Sequence, residues 1–306
     1  MGVAVALVLG VVAGAVIPLQ TVINSRLAGR LGAILLASLV SFGVGTLGLG
    51  LAVVATGAPL PLAETAATQP WWIWIGGLCG LVFLTMNIVL LPRIGASATV
   101  ILPLVGQVFG GLLIDAVGGF GAPVHPLTIV RGIGAALVVG GAALVNFVGR
   151  PDANAAPAGP AHGHPVLWVA AILVGGLGAF QTTVNGQLGQ AMGSGLSAAL
   201  ISFVVGVVGL ALVCVATRQR LTRTGSLRPW HFGGGLLGAL FVLVNAINAP
   251  ILGTSLAVSI TLLGQVAMGL IFDHQGWLGV TRRRAGALRI LGAVVVLLGV
   301  ALVRLG

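Results

Sequence analysis

Residues 20–49 read QTVINSRLAGRLGAILLASLVSFGVGTLGL, and residues 181–210 read QTTVNGQLGQAMGSGLSAALISFVVGVVGL. At an offset of 161, 14 of these 30 positions are identical. The identical positions include polar residues as well as apolar ones: Gln20/Gln181, Asn24/Asn185 and Ser41/Ser202. Membrane composition alone can produce shared apolar residues, but shared amides in one register indicate an internal duplication.

The duplication continues further along the chain. Residues 83–115 match residues 241–273 at an offset of 158, where 13 of 33 positions agree. The shared residues there are Asn87/Asn245, Pro92/Pro250, Gly106/Gly264, Gln107/Gln265 and Asp115/Asp273. The chain therefore consists of two homologous halves.

The composition is that of a membrane protein. Of the 306 residues, 58% are hydrophobic and 6% are charged, whereas about a quarter of the residues of a soluble domain are charged. Runs without any charged residue cover 1–19, 31–61 and 166–217, and about 20 apolar residues suffice to cross a bilayer as a helix. The runs do not alternate in polarity, which excludes a membrane β-barrel.

The apolar runs predict an all-α membrane protein with ten transmembrane helices. The predicted spans are 3–24, 32–56, 71–91, 95–115, 127–148, 166–187, 195–217, 231–250, 254–272 and 285–304. We expect a first five-helix repeat over 1–149, a Pro- and Ala-rich linker over 150–165, and a second five-helix repeat over 166–306. Five is an odd number, so the second repeat enters the membrane from the opposite side and the two repeats are inverted.

The charges predict the orientation. All 14 basic residues are Arg, and the formal net charge is +10. The Arg residues occupy short gaps between apolar runs, which is typical of the positive-inside rule and argues against nucleic acid as a partner. If every Arg-rich gap is placed on the cytoplasmic side, both termini lie outside. Arg131 and Arg304 are then the only Arg residues on the outer side. The N-terminus is expected to be a retained first span rather than a signal peptide.

Two motifs resemble those of a known family. The residues are Gln20-x-x-x-Asn24-x-x-Leu27 followed by Leu39-Val40-Ser41-Phe42-x-x-Gly45, with copies at Gln181-x-x-x-Asn185-x-x-Leu188 and Leu200-Ile201-Ser202-Phe203-x-x-Gly206. They resemble the YdcZ-type family of the drug/metabolite transporter (DMT) superfamily. The resemblance implies ten helices in two inverted halves and secondary transport through a central cavity. Many ten-helix relatives place both termini in the cytoplasm, whereas the Arg bias here places them outside.

The candidate solute-binding residues are side-chain amides in the apolar runs. Gln20 and Asn24 lie four apart and share a helix face, as do Gln181 and Asn185. The complete candidate set is Gln20, Asn24, Gln181, Asn185, Asn87 and Asn245. Such amides either line a polar solute site or hydrogen-bond between packed helices, and their symmetry fits both interpretations.

Asp115 and Asp273 are the repeated carboxylates, and they are candidates for proton coupling. Each falls at the end of a predicted span, so an interfacial position near water is the favoured interpretation. The first span contains no acidic residue that could bind a cation, which favours a neutral or anionic solute. No metal site, cofactor or catalytic residue is indicated, so the chain is not expected to be an enzyme.

The sequence therefore predicts a bacterial inner-membrane secondary transporter, and more specifically an exporter of a small polar, non-cationic solute. Its expected partners are the lipid bilayer and that solute, with proton coupling as an option and either a monomer or a homodimer as the working unit. The alternative is a membrane solute sensor or scaffold subunit that does not transport.

Overall fold

The structure is a computed structural model that describes residues 2–147, 165–222, 226–275 and 286–306. It contains the helices α1 (Val3–Leu31), α2 (Ile34–Thr56), α3 (Leu62–Thr68), α4 (Gly76–Val117), α5 (Ile129–Phe147), α6 (Pro165–Ala191), α7 (Gly195–Ala216), α8 (Gly233–Leu252), α9 (Thr254–Gln275) and α10 (Ala287–Leu305). Short 3-10 turns cover Trp71–Trp74, Gly119–Gly121 and Pro229–Phe232. The described residues form no β-strand.

Most of these helices suit a bilayer. Within the described residues, seven segments are long and apolar enough to cross a membrane: Val3–Leu31, Ile34–Thr56, Pro165–Ala191, Gly195–Ala216, Pro229–Leu252, Thr254–Phe272 and Ala287–Leu305. Two shorter apolar helical segments are Leu102–Val117 and Ile129–Val145. The prediction of an all-α membrane protein is confirmed. The predicted linker, 150–165, lies outside the described residues except for Pro165.

Helix α4 folds back on itself. The helical stretch has 42 residues, so a straight helix would be about 63 Å long. Yet Trp72, just before it, and Phe120, just after it, contact edge to face with their ring centroids 5.4 Å apart. The chain therefore reverses direction within α4, and two limbs lie side by side.

Helices that are counterparts in the sequence repeat pack against each other in opposite directions. Gly134 of α5 lies against Gly299 of α10, and Gly141 lies against Gly292. Because the residue number on α10 falls as that on α5 rises, the two helices are antiparallel. At the offset of 158, the counterpart of Gly134 is Gly292 and that of Gly141 is Gly299, so the two contacts exchange places under the repeat.

Two further contacts join a helix of one half to a helix of the other. The backbone of Gly264 in α9 approaches the carbonyl of Val11 in α1. Its counterpart, Gly106 in α4, approaches the carbonyl of Ile172 in α6 in the same way. Glycine permits this approach because it has no side chain to hold the backbones apart, so Gly264 and Gly106 are packing residues.

Candidate functional site

Gln20 and Asn24 of α1 face a glycine surface on α8. Gly234 and Gly238 lie one turn apart on α8, and an ideal Cβ added to Gly234 would collide with Oδ1 of Asn24. A Cβ added to Gly238 would lie 2.5 Å from Nε2 of Gln20. The predicted shared face of this amide pair therefore exists, and it points at the other half of the chain.

Gln181 and Asn185 repeat this arrangement on α6. Their neighbours are Gly80 and Gly76 in the first limb of α4. A Cβ added to Gly76 would collide with Oδ1 of Asn185, and one added to Gly80 would lie 3.2 Å from Nε2 of Gln181. The structure thus places the two amide pairs at two separate crossings, each between one half and the other.

The two asparagines lie against helix backbone at these crossings. Oδ1 of Asn24 and Oδ1 of Asn185 are both buried, and neither has a hydrogen-bond partner in the described part of the chain. Each oxygen instead rests on the backbone of a glycine, where it can accept at most a weak Cα–H contact. Neither oxygen makes the interhelical hydrogen bond that the packing interpretation expects, so Asn24 and Asn185 stay candidates for the solute site. The side chains of Gln20 and Gln181 are half-buried.

Two short glycine-rich repeats form the surfaces that the amides face, although the spacing of the amides did not predict them. Residues 76–80 read GGLCG and residues 234–238 read GGLLG, which are counterparts at the offset of 158. In both copies the first and last glycines receive the amides. The middle glycine lies against a backbone carbonyl, that of Ser202 for Gly77 and that of Ser41 for Gly235.

Asn245 and Asn248 have structural partners. Asn245 is buried and donates from Nδ2 to the carbonyl of Phe241, one turn earlier in its own helix, at 2.9 Å. Asn248 is fully buried and donates to the carbonyl of Ala6 at 2.8 Å, which joins α8 to α1. The side chain of Asn87, the counterpart of Asn245, lies outside the described residues.

Gln107 lies close to the Gln181 crossing. A Cβ added to Gly178 of α6 would lie 2.7 Å from Nε2 of Gln107, and Gly178 is three residues before Gln181. Residues three apart on a helix are neighbours. Gln107 and Gln181, both half-buried, therefore border the same region between the second limb of α4 and α6.

The expectation that Asp115 is an interfacial residue near water is wrong, because Asp115 is fully buried. Its Oδ1 accepts from the backbone N–H of Thr254 at 2.7 Å, and its Oδ2 accepts from the backbone N–H of Ser255 at 2.9 Å. Oδ2 also accepts from the Ser255 hydroxyl at 2.6 Å and forms an ion pair with Nη2 of Arg131 at 3.2 Å. The side chain of Asp273 lies outside the described residues.

Arg131 is buried as well, although it was expected in an outer gap. Its Nη1 donates to the carbonyls of His125 at 2.6 Å and Pro126 at 3.1 Å. Its Nη2 donates to the Ser255 hydroxyl at 2.7 Å, besides the ion pair with Asp115. The position at the end of a span suggested water, but the start of α9 and the turn before α5 cover this pair.

The described residues contain no group of three side chains that could hold a metal ion. They contain amide side chains at crossings between the halves and the buried ion pair of Asp115 with Arg131. Such an arrangement can bind a polar solute through hydrogen bonds.

Comparison with known proteins agrees with this arrangement. A family model described as "Putative inner membrane exporter, YdcZ" matches residues 5–144 and again residues 166–302. Sixteen chains of solved structures match, among them a crystal structure with a TM-score of 0.71 and 14% sequence identity, and the match covers 99% of this chain and 97% of that one. At that identity the likeness concerns the fold alone. No curated protein matches the chain.

Proposed function

Because the chain belongs to the YdcZ family of the DMT superfamily, we propose that it is a secondary transporter. In this proposal it exports a small polar, non-cationic solute from the cell by alternating access. The observation that carries the proposal is the reciprocal crossing of the halves, in which α1 packs on α8 and α9 while α6 packs on the two limbs of α4. Two equivalent crossings allow two states of similar energy that are related by a pseudo-two-fold rotation, and alternating access needs such a pair.

The proposed architecture is ten spans in two inverted five-helix repeats, 1–149 and 166–306, joined by the linker 150–165. Two observations support it. The helical stretch of α4 is continuous, but its reversal divides it into two limbs. Each limb is proposed to be one span. The antiparallel packing of α5 against α10, which are counterparts in the repeat, is the geometry that an inverted duplication produces.

The proposed location is the inner membrane with both termini outside. The turn after α1 and the loop before α8 meet at one face, since the N–H of Thr222 donates to the carbonyl of Leu31 at 3.2 Å. The guanidinium of Arg26 lies 5.9 Å from the ring centre of Trp230 at this same face. The C-terminus lies at the Arg131 face instead, where Thr128 donates to the carbonyl of Gly306. The positive-inside rule then puts the Arg26 face in the cytoplasm.

The proposed solute ligands are Gln20 and Gln181, assisted by Gln107. Amides offer both donors and acceptors without charge, which suits a polar solute that is not a cation. Asn24 and Asn185 stay candidates beside them, whereas Asn245 is proposed to act on the site indirectly, because its amide donates to its own helix backbone. Asn87 remains a candidate by its position in the repeat.

Proton coupling through Asp115 or Asp273 is the accompanying proposal for the driving force. In this structure the Asp115 carboxylate accepts four hydrogen bonds, one at Oδ1 and three at Oδ2. The double substitution Asp115→Asn and Asp273→Asn tests this proposal. Uptake driven by a pH gradient that persists in a folded double variant excludes coupling through these residues.

The decisive experiment is counterflow in proteoliposomes. A thermal-shift screen against a metabolite panel first identifies a stabilising solute, since a ligand of the folded state raises the melting temperature. Liposomes preloaded with that solute should then accumulate the radiolabelled form transiently. A sensor or scaffold subunit, the alternative function, binds the solute without exchanging it. Flux measured at several ratios of protein to lipid distinguishes a monomer from a homodimer as the working unit.

A further inference from the structure

Asp115 binds the start of a helix that is distant in the sequence. Its two carboxylate oxygens accept from the backbone N–H groups of Thr254 and Ser255, the first two residues of α9. The first N–H groups of a helix lack partners within it and carry partial positive charge, so a carboxylate is a strong partner for them. Because Asp115 and Thr254 are 139 residues apart, this cap joins the two halves of the chain.

Ser255 connects the carboxylate to a second charge. Its hydroxyl donates to Oδ2 of Asp115 at 2.6 Å and accepts from Nη2 of Arg131 at 2.7 Å. The Nη1 group of Arg131 donates to two backbone carbonyls in the turn before α5. The cluster is thus electrically neutral, and both carboxylate oxygens are engaged. Removal of either charged side chain leaves the other buried without its counter-ion, so the two charges favour either complete closure or complete separation.

Helix α6 is also bonded to this cluster. The hydroxyls of Thr254 and Thr183 are 2.9 Å apart, so the start of α9 is bonded to α6 as well as to α4 and α5. Gly253, between α8 and α9, packs against the side chains of Asp115 and His125. A Cβ added to Gly253 would be 3.0 Å from Oδ2 of Asp115 and 2.9 Å from Cδ2 of His125. Four helices from both halves are therefore tied together at the face that carries the C-terminus.

We propose that Asp115, Arg131 and Ser255 form a latch that closes the solute path at this face and must open in each transport cycle. The inference rests on the proposed function, since a latch of this kind has meaning only in a protein that alternates between two openings. If the halves separate at this face, the start of α9 must leave Asp115. These three residues are positioning residues, because they control access to the solute site and do not touch the solute.

The test measures access to a buried position behind the latch. Ser259 lies one turn beyond Ser255 on the same face of α9 and is fully buried. Its hydroxyl has no hydrogen-bond partner in the described part of the chain, so Ser259→Cys removes no such bond. In a background with Cys79→Ala and Cys214→Ala, a membrane-impermeant maleimide reports how often water reaches this position from the C-terminal face.

Two variants open the latch in different ways. The pair Asp115→Asn with Arg131→Gln removes both charges together and leaves no unpaired ion. Ser255→Ala removes the bridging hydroxyl and keeps the backbone cap, so it also serves if the pair fails to fold. Glu64→Gln, the same chemical change at an exposed carboxylate in α3, is the matched control. Ala199→Cys, fully buried in the α2–α7 core, is the control probe for general loosening.

We expect both latch variants to raise the labelling rate at Ser259→Cys by about tenfold or more, since tenfold corresponds to a modest shift between two states. Labelling at Ala199→Cys and in Glu64→Gln should stay unchanged. An unchanged rate at Ser259→Cys in a folded latch variant overturns the proposal, as does an equal rise at Ala199→Cys. The labelling assay requires no solute, so its outcome is independent of the counterflow experiment. A failed counterflow experiment refutes the proposed function, whereas the labelling rates alone decide on the latch.

Discussion

Phe42 of α2 and Phe203 of α7 stack with their ring centroids 4.9 Å apart and 26° between the ring planes. At the offset of 161 these two residues are counterparts in the repeat. In the proposed inverted arrangement, counterparts touch each other near the axis that relates the two repeats, so the stacked rings would mark its position. The neighbouring glycines are also exchanged, because Gly45 packs on the Phe203 ring and Gly206 packs on the Phe42 ring.

This pair of contacts predicts unequal rescue of two equivalent substitutions. Gly206→Ala should lower the free energy of unfolding by about 1–3 kcal/mol, because its Cβ would lie 2.6 Å from the Phe42 ring. Phe42→Leu should restore part of the loss. Gly45→Ala should not be rescued by Phe203→Leu, because its Cβ would also lie 2.7 Å from the carbonyl of Gly235. Melting curves in detergent decide the matter, and equal rescue in both cases would contradict this account.

The contact between Asn24 and Gly234 predicts energetic coupling across the halves. Gly234→Ala alone should destabilise the fold by about 1–3 kcal/mol, since the new methyl group meets the Asn24 amide. Asn24→Ala removes that amide, so the double variant should be more stable than the sum of the single losses indicates. The coupling energy from a double-mutant cycle should be about 1–2 kcal/mol. Strict additivity would show that the two residues are not in contact.

The half-buried glutamines are predicted to affect transport more than stability. Once a solute is identified, the double variant Gln20→Ala with Gln181→Ala should raise its half-saturation concentration by about tenfold, because two hydrogen bonds of modest strength are lost. The melting temperature without solute should change little. Gln190→Ala, which removes an exposed amide from the same helix as Gln181, is the control. Unchanged flux in the folded double variant removes both residues from the site.

Gly253 and Gly193 differ in how well backbone and surroundings tolerate a side chain. Both have positive φ, 78° and 67°, and Gly253 combines it with a ψ of 163°, a region that only glycine adopts readily and that costs other residues about 1–3 kcal/mol. The free space around the two glycines also differs. A Cβ added to Gly193 would meet only Cγ of Pro59, at 4.0 Å. Gly253→Ala should therefore lower the melting temperature considerably more than Gly193→Ala. A similar loss for both would mean that Asp115 and His125 can move aside freely.

The orientation of the chain is open to a direct test. If the Arg26 face is cytoplasmic, the C-terminus lies outside, and alkaline phosphatase fused after Gly306 should be active because it folds only outside the cytoplasm. Green fluorescent protein fused at the same residue and exported in the same way should stay dark. The opposite pattern of signals would place both termini inside and would show that the Arg bias misassigns this chain.

The apolar runs predicted the all-helical membrane fold. The polar repeats predicted the amide pairs, because identical spacing in both halves is hard to obtain by chance. They did not predict which helix each pair faces. Gln20 and Asn24 meet Gly238 and Gly234 of α8, more than 200 residues later in the sequence. Glycine is so frequent in this chain, at 50 of 306 residues, that the GGLCG and GGLLG repeats did not stand out.

The environment of Asp115 could not be predicted from its position in a span. A residue at the end of an apolar run is usually near water, and hydropathy contains no information on what covers it. The cover here comes from the start of α9 and from the turn that holds Arg131. Both arrive from elsewhere in the fold, so burial of the carboxylate is a tertiary property.

The exchange of partners between the halves has a consequence for how the protein is made. Helix α1 leaves the ribosome long before its glycine partners in α8 exist, and at about 5–20 residues per second the delay is on the order of tens of seconds. During that interval Gln20 and Asn24 must remain in the bilayer without their final neighbours. Insertion of the first half therefore produces an incomplete bundle, vulnerable to quality-control proteases until synthesis of the second half supplies α8 and α9.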